Sequence, residues 1–260
     1  MVSGTSLVFI VLSFLISFFL PLGLVIYFYR RDRISLRAVL VGAVIIVVFT
    51  QFLERPAHIY LLGTNPQTAS LLNNSPALFA LYGGLMAGLF EEVGRFLGFR
   101  FLLGGLRAWK DGAAYGLGHG GTEAIMIGGL TNLNNFFYSL MINSGTFESS
   151  LGTALPASTL AFIKNALIST SPYMFLAGGL ERAMALVIQI ALSLLVLFAV
   201  KSGRYVFLLY AVLVHALLDF PAALYQAGRM NIWAVEVMLL VFAGAAWYSI
   251  IRSKGAFRSS

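Results

Sequence analysis

Long apolar runs alternate with short polar connections along the chain. The runs cover residues 7–29, 36–52, 77–106, 113–142, 172–200, 205–224 and 232–251. Each reaches or approaches the roughly 20 residues that a helix needs to cross a hydrocarbon core of about 30 Å. The pattern predicts an all-α protein, a polytopic transmembrane helical bundle of about seven helices. The third and fourth runs are long and carry polar residues, which predicts tilted or broken helices. Residues 145–171 read as an outer loop or a re-entrant hairpin, unless an eighth short span lies in 155–167.

Composition agrees with that pattern. Of 260 residues, 59% are hydrophobic and only 10% are charged, against about 25% charged in soluble domains. Such a surface is solvated by lipid, and no stretch is left over for a sizeable soluble domain. Residues 1–260 therefore read as a single integral membrane domain, with a motif-bearing core at about 77–225. The absence of cysteine excludes disulfides, thiolate metal sites and a thiol nucleophile. The first run is too long for a signal-peptide core and lacks a basic lead. It ends in Arg30-Arg31-Asp32-Arg33 rather than a small-residue cleavage site, and so reads as a retained helix.

The net charge of +7 could suggest a nucleic-acid partner, but the basic residues sit between the apolar runs. Twelve of the 17 Lys and Arg fall at alternate ends of the runs: Arg30, Arg31, Arg33, Arg37, Arg100, Arg107, Lys110, Lys201, Arg204, Arg252, Lys254 and Arg258. With the N-terminus outside and the C-terminus cytoplasmic, all twelve lie on the inner side. This charge is a topology signal. The expected partner is the bilayer, not nucleic acid, and the expected location is the plasma membrane of a prokaryotic cell. Repeated Gly-Gly pairs, such as Gly83-Gly84 and Gly120-Gly121, read first as sites of close helix packing. Local opening of a helix beside a site is the other reading.

Charged side chains inside a span are costly unless paired, hydrated or bound to metal. Three spans carry them. The third has Glu91-Glu92-Val-Gly-Arg95, the fourth has Tyr115-x-x-x-His119-x-x-x-Glu123, and the sixth has His215-x-x-x-Asp219. His119 and Glu123 share a helix face, as do His215 and Asp219, and Arg95 is placed to pair with a glutamate. Glu92 is about 12 Å along the helix from Arg100, His119 about 13 Å from Lys110, and His215 about 16 Å from Arg204. All three motifs can then meet at one level in the cytoplasmic half of the membrane. Two imidazoles and several carboxylates are the chemistry of a metal-assisted hydrolase. Zinc suits such ligands by type, and a carboxylate can act as general base.

In content and order these motifs resemble the glutamate-rich intramembrane proteases. That group comprises the CAAX prenyl endopeptidase and bacteriocin-processing superfamily with its PrsW-like relatives. The closest wording, Glu-Glu-Val-Gly-Arg and His-Gly-Gly-x-Glu-Ala, is similar to the YhfC-type intramembrane metalloproteases. The resemblance spans roughly 91–220. It implies endopeptidase cleavage of a membrane-associated peptide or protein, with Glu91 or Glu92 activating water beside Arg95. It implies that His119, His215 and Asp219 bind a divalent metal or hold the water and oxyanion; Asp219 or Glu123, one turn from a histidine, is a metal ligand or the acceptor that fixes the ring tautomer. Arg95 is one residue closer to the glutamates than in the CAAX branch, and Asp219 replaces an asparagine. Both departures point away from prenylated substrates.

Two other readings of the same residues are a structural ion-pair network and a proton or ion relay in a transporter. A relay favours an inverted repeat, and the sequence shows none. Glu181-Arg182 reads as an interfacial ion pair, His58 as a solvated loop residue, and Glu236 as interfacial. The Asn132, Asn134 and Asn135 cluster reads as helix-to-helix bonding. A role for Asn132 and Asn135 in holding a substrate backbone is the alternative.

Overall fold

In the computed structural model, which describes residues 1–257, every regular element among those residues is helical. Arg258, counted above with the cytoplasmic basic residues, lies outside the described residues. The helices are α1 (Gly4–Asp32), α2 (Leu36–Thr64), α3 (Pro66–Asn73), α4 (Pro76–Leu102), α5 (Trp109–Ala124), α6 (Leu130–Ser144), α7 (Phe147–Leu151), α8 (Ala157–Ser169), α9 (Pro172–Ser202), α10 (Val206–Gln226) and α11 (Ile232–Ser253). Six of them, α1, α2, α4, α9, α10 and α11, are long and apolar enough to cross a membrane.

The expected span at 113–142 is helical but more polar than these six. It consists of α5 and α6 joined by a π-helical turn, Ile125–Gly129. The segment after it contains α8, whose 13 residues cover only about 20 Å, short of a hydrocarbon core. The second span runs further than its apolar pattern, to Thr64. His58 therefore lies on a helix rather than in a loop, which corrects the reading from sequence. Pro56 has no N–H to donate, and the π-helical turn Val48–Glu54 immediately before it shifts the hydrogen-bond register.

The chain clusters into two compact units. The first comprises Met1–Gly23 and Glu123–Ala183, and the second Leu24–Thr122 with the chain from Met184 onward. The first unit is centred on Val2, Ile10, Ile142, Phe147, Leu160 and Leu167. In the second, Ala38, Phe99, Tyr115, Leu186, Val196 and Leu197 form the core.

Helices in lipid gain little from burying leucine, because the solvent is equally apolar, so close backbone approach becomes the main attraction. Glycines supply it within the second unit. A Cβ at Gly88 of α4 would stand 2.6 Å from the carbonyl oxygen of Val212 on α10, and Gly84 abuts Ala216 in the same way. On α5, Gly116 meets Ile190 of α9, Gly120 meets Gln189, and Gly118 meets Val39 of α2. The opposite face of α10 carries Leu209, Leu213 and Leu217 at four-residue spacing, all exposed as lipid-facing residues should be.

Candidate active site

On α4, Gly84, Gly88, Glu91 or Glu92, and Arg95 recur every three or four residues and so occupy one stripe. The glycines bring α10 close, and the charged groups of the same stripe then face His215. Ser75 caps α4 by accepting from Leu78 N, and Pro76 takes the first turn, where its missing N–H costs nothing.

Arg95 is completely buried and forms the hub. Its Nε faces Glu92 Oε2 at 3.1 Å. Its Nη1 donates to Ser193 Oγ at 2.6 Å and to the Gln189 carbonyl at 2.8 Å. Its Nη2 donates to Gln189 Oε1 at 2.5 Å and lies 3.1 Å from His119 Nε2. Gln189 Nε2 in turn donates to Glu91 Oε2 at 3.1 Å. A fully desolvated guanidinium with this many acceptors is held rigidly.

The two glutamates differ. Glu92 is completely buried, and its Oε1 accepts from His215 Nδ1 at 2.7 Å while its Oε2 faces Arg95. Both of its oxygens are committed, and that bond turns His215 Nε2 outward. Glu91 is 8% exposed, and its Oε2 lies 3.0 Å from His119 Nε2 and 3.9 Å from His215 Nε2. His215 Nε2 also lies 3.4 Å from Asp219 Oδ2, on a side chain 43% exposed. Asp219 thus forms the open edge of the cluster.

Of the expected site residues, Glu91, Glu92, Arg95, His119, His215 and Asp219 fall together in the second unit. The other three belong to the first unit. There Arg182 Nη1 donates to Glu123 Oε1 at 3.2 Å and also pairs with Glu181, Asn132 donates to the Gly128 carbonyl at 2.9 Å, and the Asn135 carbonyl accepts from Ser139. The Asn132 and Ser139 bonds lie within their own helical run. Glu123 is thus engaged with an arginine, apart from the cluster of the second unit. The sequence reading missed Gln189 and Ser193. Their signal was an amide and a hydroxyl one helical turn apart in an otherwise apolar span.

A model of the YhfC intramembrane metalloprotease family matches residues 16–239. The chain belongs to that family. It is 43% identical over 259 residues to the uncharacterized membrane protein YhfC of Bacillus subtilis (strain 168), covering 99% of this chain and all of the relative. No solved structure matches. The chain is accordingly a multi-pass membrane protein of the YhfC family, whose name implies a metal.

The residues bear on that implication through their hydrogen-bond roles. His215 gives its Nδ1 hydrogen to Glu92, so in the neutral ring its Nε2 is an acceptor. It therefore faces two carboxylate oxygens, Glu91 Oε2 and Asp219 Oδ2, which also only accept when ionised. His119 Nε2 has a single in-plane site and stands between the Arg95 donor and the Glu91 acceptor. Its Nδ1 has no partner among the described residues. Acceptors this close repel unless a proton or cation lies between them. Their spacings of 3.0, 3.9 and 3.4 Å bracket the roughly 3.4 Å that separates ligands on a tetrahedral ion with bonds near 2.05 Å. The spacings form an open chain, and among the described residues no set of three such side chains encloses a metal as it stands. The donors fit a divalent cation in type.

Proposed function

We propose that this protein is an intramembrane endopeptidase that hydrolyses a peptide bond of a membrane-associated substrate. The observation that supports it is the convergence of acceptor atoms from α4, α5 and α10 beside one half-open edge, with an arginine and a glutamine fixing their orientation.

In this reading Glu91 is the general base and Glu92 is a positioning residue. Gln189 Nε2 and the Arg95 charge hold the Glu91 carboxylate in place. Glu91 takes a proton from water, and the water oxygen bonds to the substrate carbonyl carbon. The proton then passes to the amide nitrogen, the C–N bond breaks, and a carboxylate and an amine result. A divalent metal held by His119, His215 and Asp219 would supply Lewis-acid polarisation of the water and the carbonyl. The substrate must be unwound at the cleavage point, because an intact helix keeps its carbonyls bonded.

The test uses protein in liposomes with a panel of single-span peptides, read by mass spectrometry of the products, and metal content measured on the purified protein. Glu91→Gln should lower cleavage about 10²- to 10⁴-fold, the usual contribution of a general base, with the thermal melt close to wild type. His119→Ala and His215→Ala should each lower metal content. Full activity in Glu91→Gln rules out the assigned base. Flux of a solute or proton without cleavage supports a transporter instead.

A further inference from the structure

Beside Asp219 the second unit has a cavity of about 460 Å³, lined by His58, Leu62, Phe79, Tyr82, Gly83, Asp219, Ala222, Ala223 and Gln226. Asp219 belongs to both this cavity and the buried cluster. Two of the lining residues, His58 and Tyr82, belong to a chain of three polar groups that ends on Glu54 and that the proposed hydrolysis does not use. His58 Nε2 lies 3.1 Å from Glu54 Oε1, and His58 Nδ1 lies 2.7 Å from the Tyr82 hydroxyl. Glu54 is buried, with its side chain 10% exposed.

The direction of the chain follows from donor and acceptor roles. An ionised carboxylate only accepts, so His58 Nε2 donates to Glu54. With the ring hydrogen on Nε2, Nδ1 accepts the Tyr82 hydroxyl hydrogen, which leaves the Tyr82 oxygen an acceptor. The polar lining therefore includes two acceptors, the Tyr82 oxygen and the Asp219 carboxylate, beside the Gln226 amide. Leu62, Phe79 and Ala223 provide apolar surface along which a methylene chain can lie. Gly83, Ala222 and Ala223 keep the space open.

We infer that this cavity is the subsite for a basic residue of the peptide substrate, its cationic head on Tyr82 at the end of the cavity that Asp219 borders and its stem against Phe79 and Leu62. The inference rests on the endopeptidase reading and specifies its substrate. Glu54 and His58 act through Tyr82, by fixing which way its hydroxyl points.

The experiment uses quenched fluorescent single-span peptides of one sequence, with lysine, norleucine or glutamate moved position by position along it. Wild type, Tyr82→Phe and Ala222→Phe are compared in liposomes, each first shown to melt cooperatively. At one position lysine should raise kcat/KM about tenfold over norleucine, as expected for a charge-assisted hydrogen bond, and glutamate should fall below both. Tyr82→Phe should lower the lysine-to-norleucine ratio several-fold, through KM, and leave norleucine cleavage unchanged. Ala222→Phe, which fills the cavity, should slow the lysine peptide most. Lysine and norleucine cleaved equally at every position, or a lysine preference unchanged in both variants, overturns the subsite while leaving hydrolysis intact. If wild type cleaves none of the peptides, hydrolysis fails separately, and a benzophenone-bearing lysine peptide then probes the cavity. Labelling of α4 or α10 displaced by lysine but not glutamate peptides supports the cation subsite, and no such labelling overturns it.

Discussion

Each of the two compact units holds an arginine between two glutamates, and the two arrangements differ in what remains after the charges are balanced. In the first unit Arg182 pairs with Glu123 and Glu181, on side chains 13%, 15% and 34% exposed. In the second, Arg95 pairs with Glu92 and stands 4.0 Å from Glu91, at zero exposure, and two histidines, a glutamine, a serine and Asp219 join the network. Partial exposure lets pairing finish the first arrangement. The second has more acceptors than its arginine can serve, and the surplus faces one place. Surplus acceptors beyond charge balance separate a candidate reactive centre from a structural ion pair.

The comparison breaks most sharply at the arginines. Arg95→Met leaves a completely buried carboxylate uncompensated, which costs about 3–5 kcal/mol. The thermal melt in detergent should fall steeply or lose cooperativity. An Arg95→Met protein that melts like wild type would show that the network is not held by its hub. Next in size is Gln189→Leu, which removes the bridge between Arg95 and Glu91 and leaves buried donors and acceptors unmatched, at about 1–3 kcal/mol. Its melt should drop by less than that of Arg95→Met, and cleavage should drop further than stability does, because Glu91 loses its orientation. Equal loss in both readouts would make Gln189 a packing residue only.

Arg182→Met should fall between the roughly 1 kcal/mol of an exposed pair and the 3–5 kcal/mol of a buried one. Glu123→Gln should leave metal content at the wild-type level, measured beside His215→Ala as the positive control. Metal lost in Glu123→Gln would return Glu123 to the ligand set.

How much of this was readable in the chain depended on what each residue does to hydropathy. The helical membrane class was legible because lipid demands long apolar runs. Glu91, Glu92, Arg95, His119, His215 and Asp219 were legible because a charge inside such a run needs a reason. Gln189 and Ser193 were not, since one amide and one hydroxyl scarcely change the average of a strongly apolar span. His58 was misplaced because Arg55-Pro56 reads as a break, whereas π-helical turns carry the helix through. Glu123 satisfied the spacing rule on α5, but its partner comes from α9, far away in sequence, and spacing within one helix says nothing about that.

The smallest effect is expected at a pair outside the spans. Lys164 Nζ donates to Glu148 Oε1 at 2.6 Å, and that bond holds the Glu148 carboxyl below its ordinary value of 4.5. A carboxyl depressed on folding contributes stability that is present above the ordinary value and is lost as pH falls through the folded one. Lys164→Met should therefore lower the melt slightly at pH 7 and by progressively less as pH falls below 4.5, and about 0.15 M salt should erase even the first difference, because exposed pairs are screened. Arg182→Met should keep most of its effect in the same salt, since its pair is only 13% and 15% exposed. A Lys164→Met effect as salt-resistant as that of Arg182→Met would mean that exposure does not rank these pairs, and the contrast drawn between the two arginines would lose its physical basis.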